Sequence, residues 1–123
     1  MKKFFFLFVL LSLIRIFAAN KYVFIMTKKV MIRKIADYFK NKPVKKAWLF
    51  GSYSRGEETP GSDVDILVVL DNSKPVGMEF FGMYEDLKEL LGRNVDLVTE
   101  RSLAPFARNS VERDRQLIYE RAN

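Results

Sequence analysis

Two aspartates stand one residue apart in Asp63-Val64-Asp65, and the five residues that follow, Ile66 to Leu70, are all apolar. Side chains two apart on a strand share a face, so this spacing brings two carboxylates together at the head of a strand. Two such charges repel unless a cation lies between them. A hard divalent ion such as Mg²⁺ takes oxygen ligands of this kind. Alone, an Asp-x-Asp is more often a solvated strand end or a pair of caps for nearby amides. Upstream, Gly51-Ser52 closes the apolar stretch Ala47-Trp48-Leu49-Phe50. Glycine lets a backbone approach a ligand closely. A helix opening there would offer N–H groups and a favourable dipole to an anion. The Ser52 hydroxyl adds a hydrogen-bonding group, and Arg55 follows one turn on. Alone, Gly-Ser is more often an ordinary capped turn.

The combination is more telling than either part. At ~6% per specified residue, Gly-Ser, ten residues and Asp-x-Asp should coincide by chance in on the order of one chain in a thousand of this length. Gly51 and Gly56 also have the spacing of a G-x-x-x-x-G-K-[ST] phosphate loop, but Glu57 stands where lysine is required, and a carboxylate there would repel phosphate. A third carboxylate suits chemistry that uses two metal ions, and Asp96 in Val95-Asp96-Leu97-Val98 is the candidate. An acid inside an apolar strand is costly unless paired or metal-bound. Pairing with Arg93 or Lys88 is the structural alternative. The 123 residues include no cysteine and no histidine. That excludes thiolate chemistry, disulfides, His–zinc sites and imidazole acid–base catalysis. Carboxylates, hydroxyls, cationic side chains, backbone amides and oxygen-bound metals remain.

These residues need elements to hold them. Residues 28–40 read as an amphipathic helix, with Met31, Ile32, Ile35 and Phe39 at helical spacing, ended by Asn41 and Pro43. Residues 44–50 read as a central strand. Ser52 is expected to cap a short helix over 53–58, and residues 59–62 form a turn. Residues 63–70 form the strongest strand, and 71–75 a loop. A second amphipathic helix is expected over 78–91, with Phe80, Tyr84, Leu87 and Leu91 on its stripe, Met83 and Leu90 beside it, and Gly92 at its end. Residues 94–99 read as a strand, 102–114 as a helix broken near Pro105, and 116–119 as a short edge strand. The order predicts an α/β (α+β) fold, a small mixed sheet with helices packed on it.

The pattern Gly51-Ser52, ten residues, Asp63-x-Asp65, with Asp96 later, resembles the minimal nucleotidyltransferases of the DNA polymerase β-like superfamily, from about Thr27 to Glu120. The resemblance implies that Gly51 and Ser52 hold a nucleoside triphosphate; Arg55, one turn on, is a further candidate to bind it from its place in the sequence. It implies that Asp63 and Asp65 bind two Mg²⁺ ions and that Asp96 completes one metal site. It also implies transfer of a nucleotide, AMP from ATP, to a hydroxyl of a protein partner. Many proteins of this kind resemble antitoxins encoded beside a helical HEPN ribonuclease toxin. A non-catalytic antitoxin that only masks its toxin is the first alternative.

Net charge is +6, but it is unevenly spread. Residues 1–25 hold Lys2, Lys3, Arg15 and Lys21 and no acid, residues 26–46 hold eight bases against Asp37, and residues 47–123 hold nine bases against fourteen acids. The basic 28–46 segment gives a second alternative, a nucleic-acid binder, against its reading as a solvated helix face and loop. Residues 1–25 read as a hydrophobic leader: a mis-called start before Met26, a signal peptide or a membrane anchor. A membrane is expected as partner only through those residues. The nucleotidyltransferase domain is then expected over 26–123, in the cytoplasm.

Overall fold

The computed structural model describes residues 2–73 and 76–122, with side chains from 5–14 and from 28 onward. It divides into two units, Met1–Arg33 and Lys34–Asn123. Helix α1 runs Lys2–Phe39. The expected helix over 28–40 is therefore the end of a longer one. The reason is legible in the residues: nothing before Pro43 is glycine or proline, so no breaker interrupts the helix. Among the described residues, no helix is long and apolar enough to cross a membrane.

The second unit is built on a four-stranded sheet in the order β3-β2-β1-β4. Strands β1 (Val44–Phe50) and β2 (Val64–Leu70) form its antiparallel centre. Strand β3 (Val95–Thr99) pairs parallel with β2, and β4 (Gln116–Glu120) pairs antiparallel with β1. The sheet is mixed, as expected, with β4 at an edge. A parallel pair needs a crossover, and helix α3 (Gly77–Leu91) supplies it between β2 and β3. A register shift between Val44 and Lys46 re-phases β1, so that Val44, Ala47 and Leu49 are all buried while Lys45 and Lys46 face water.

The core is apolar. Ile35 and Phe39 at the end of α1, Met83 and Leu87 on α3, and Val64, Ile66 and Val68 on β2 are buried almost completely. The Tyr38 hydroxyl donates to Asp86 Oδ2 at 2.6 Å, tying the last turns of α1 to α3. Burial and the Asp86 carboxylate hold that phenol well above its ordinary pKa. The opposite face of β2 carries Leu67, beside Leu103 and beside Val111 of helix α4 (Pro105–Asp114).

Four expectations need correction. The buried line of α3 is Met83 and Leu87, whereas Phe80, Tyr84 and Leu91 are half-buried and Leu90 is exposed, so the stripe is rotated. The helix after β1 is α2, a single turn over Ser52–Arg55. Ser52 is its first helical residue rather than its cap. Gly51 occupies the cap position, and Gly56, in the left-handed region at φ 69°, ends the turn early. Helix α4 spans Pro105–Asp114, so proline opens it instead of breaking it. The loop after β2 is present at Asp71–Ser73, where Ser73 N–H donates to Asp71 Oδ1; Lys74 and Pro75 lie outside the described residues.

Candidate active site

Strand register brings the sequence-predicted residues together. Asp65 is paired with Phe50 across the β1–β2 ladder and with Asp96 across the β2–β3 ladder. Asp63 lies just before β2, which begins at Val64 rather than at 63 as expected, and its charge acts on the Asp65 carboxyl. Gly51 follows Phe50 and is drawn alongside Asp65. A methyl group added at Gly51 would strike Asp65 Oδ2, and its φ of 68° is one that residues with a side chain rarely adopt. Glycine is thus required twice over, by backbone conformation and by the carboxylate at its flank.

The electrostatics follow from this crowding. Burial, then the charges of Asp96 and Asp63, push the Asp65 carboxyl up to about 6, and Arg55 pulls the other way. Asp65 is half-buried, whereas Asp63 and Asp96 are exposed. That corrects the argument for Asp96. It sits on edge strand β3 between the buried Val95 and Leu97 but faces water itself, so burial cost does not explain it. Its distinction is its place opposite Asp65. The two expected structural partners are engaged elsewhere: Arg93 donates to the Tyr53 hydroxyl, and the Lys88 ammonium lies 5.4 Å from the centre of the Tyr84 ring.

Around Gly51-Ser52 the turn is closed locally. Ser54 Oγ donates to the Gly51 carbonyl at 2.8 Å, and Glu57 N–H donates to the Ser52 carbonyl at 3.0 Å. With only four residues in α2, its dipole is that of one turn, so attraction for an anion rests on individual N–H groups. The Arg55 guanidinium is exposed. It reaches Glu57 Oε2 at 3.0 Å and Asp114 Oδ2, at the end of α4, at 3.8 Å.

Two contributors were not legible beforehand. Tyr53 is buried directly after the Gly-Ser turn, and its hydroxyl accepts from Arg93, on the approach to β3. That contact ties the turn to the strand bearing Asp96. Asp114 joins through Arg55. Both pairings are remote in sequence, and no local pattern signals them. Among the described residues, no three acidic side chains are gathered into a ready-made metal cage. Asp65 and Asp96 are neighbours in the sheet register and Asp63 precedes β2, an open arrangement rather than a closed shell.

The family model for the nucleotidyltransferase domain matches residues 32–118. The chain is 44% identical over 94 residues to "Putative protein adenylyltransferase MJ1379" of Methanocaldococcus jannaschii, covering 74% of this chain and 92% of that protein. It is 42% identical over 71 residues to protein adenylyltransferase MntA of Thermococcus cleftensis, covering 58% of this chain and 71% of that one. Among solved structures, a toxin–antitoxin crystal structure with AMP-PNP is similar at a TM-score of 0.61 and 25% identity, over 72% of this chain and 73% of that chain. The chain belongs to the nucleotidyltransferase domain family.

Proposed function

We propose that this protein is a Mg²⁺-dependent protein adenylyltransferase, moving AMP from ATP to a hydroxyl of a protein partner and acting as antitoxin to a HEPN-type toxin. The domain is assigned to residues 26–123 and the reaction to the cytoplasm. The observation that carries the reading is Asp65, wedged between Gly51 on one neighbouring strand's end and Asp96 on the other. One carboxylate thereby joins a turn suited to phosphate to a second acid suited to the attacking group. The names of the similar adenylyltransferases and the bound AMP-PNP of the similar toxin–antitoxin support ATP as substrate and a toxin as partner.

Gly51 lets the backbone approach the triphosphate, and Ser52 supplies its N–H and hydroxyl. Arg55 exchanges its carboxylate neighbours for phosphate oxygens. Asp63, Asp65 and Asp96 form an all-oxygen donor set, and their mutual repulsion is what a divalent cation would relieve. When bound, such ions would neutralise charge on attacking and leaving oxygens. The acceptor oxygen bonds to the α-phosphorus as the bond to pyrophosphate breaks. The hydroxyl proton passes to Asp96, which is exposed and so can return it to water.

The test is intact-mass measurement of a HEPN-type partner after incubation with this protein, ATP and Mg²⁺. Addition of AMP is expected, lost with chelator and in the Asp63→Asn, Asp65→Asn double variant. Undiminished transfer by that variant would overturn the catalytic assignment; toxin neutralised without mass gain would favour masking alone.

A further inference from the structure

The N-terminal part of α1 has a property that the transferase reading does not use. Phe5, Phe6, Leu7, Phe8, Val9, Leu10 and Leu11 are all exposed, as are Leu13 and Ile14. Successive helix positions step about 100° around the axis, so seven consecutive residues sample every side of the cylinder. A groove on a partner protein covers one face of a helix and leaves the other in water. Apolar surface on all sides asks for a surrounding apolar medium.

Charge narrows the choice. Residues 2–36 carry Lys2, Lys3, Arg15, Lys21, Lys28, Lys29, Arg33 and Lys34, and the first acid of the chain is Asp37. Basic residues border the apolar run on both sides in sequence. One apolar segment alone gives weak membrane attachment, whereas an apolar segment joined to a polybasic one holds firmly to anionic lipid.

We propose that Phe5–Ile14 embeds in an anionic lipid bilayer and that the following basic stretch of α1 engages its headgroups. The transferase unit would then act at the cytoplasmic membrane surface.

The test uses the full chain, purified in mild detergent and freed of it in the presence of vesicles. Flotation is compared for phosphatidylcholine vesicles and for vesicles that also contain phosphatidylglycerol. Binding is expected on both, tighter on the anionic ones. Neutralising Lys29, Arg33 and Lys34 to glutamine should weaken anionic-vesicle binding about fivefold per charge, and added salt should do the same. Phe5→Gln with Phe8→Gln should weaken binding to both vesicle types while leaving AMP transfer unchanged. Failure to float with either, or a soluble oligomer indifferent to vesicles, would overturn the proposal. So would binding unaffected by the Phe5→Gln, Phe8→Gln variant.

Discussion

Asp65 carries the site's conflict between stability and activity. Burial and two neighbouring carboxylates raise its carboxyl to about 6, above the ~3.9 of an unfolded chain. The sign follows: below both values the acid is protonated in folded and unfolded states alike, and stability falls as pH rises through the window from about 4 to about 6. Asp65→Asn should remove that fall. We expect the metal-free variant to be more stable than the parent above about pH 6, by at most about 1–2 kcal/mol after solvent screening of a half-exposed group, in chemical denaturation. The same variant should lose transfer. Gly51→Ala should fail differently. At φ 68° and ψ −149° the backbone lies in a region almost confined to glycine, which costs a residue with a side chain roughly 1–3 kcal/mol, and the added methyl also displaces Asp65. Lower melting temperature together with lost transfer is expected; unchanged transfer would deny the close approach.

At the scale of elements, long-range contacts align parts that sequence leaves separate. Arg93 and Tyr53 connect the turn after β1 to the start of β3. Tyr53→Phe keeps the buried ring and removes the accepting hydroxyl. It should cost about 1 kcal/mol of stability and roughly tenfold in transfer, since small misplacements are expensive in catalysis. A full loss of stability with normal turnover per folded molecule would make the contact structural only. At the far end of the sheet, Arg121 donates to Asp71 Oδ2 at 2.7 Å, joining the residue after β4 to the residue after β2. The Arg121 hydrogen bond, with help from Ser73, holds the Asp71 carboxyl well below the usual range. A lowered acid stabilises above its unfolded pKa and loses that contribution as pH falls. Asp71→Asn should therefore lower the melting temperature at neutral pH, with a gap to the parent that narrows on acidification.

Across the whole molecule, the legible parts were those with local signals. Strands β1 and β2 announced themselves by apolar runs, and Gly92 by its place at a helix end, where φ is 62°. The aspartates were found because their spacing implies a shared face. What remained hidden depends on distant partners: the rotated stripe of α3, the partners of Arg93 and Arg55, and the exposure of Asp96, which follows from β3 being an edge. The length of α1 was open to a simpler signal, the lack of breakers before Pro43. One core serves the entire second unit, so Leu87→Ala, at a fully buried position of α3, should cost 2–5 kcal/mol and lower both ends of the sheet in a single cooperative transition. Register has a last consequence. Phe50 and Asp65 are partners, and a slip of β2 by one residue would turn Asp65 toward the core and set Ile66 in the half-buried place of the carboxylate. The same pairing that assembles the aspartates thus acts as proofreading during folding: a mispaired chain must bury a carboxylate and loses the site at once, so faulty copies are silent rather than misdirected.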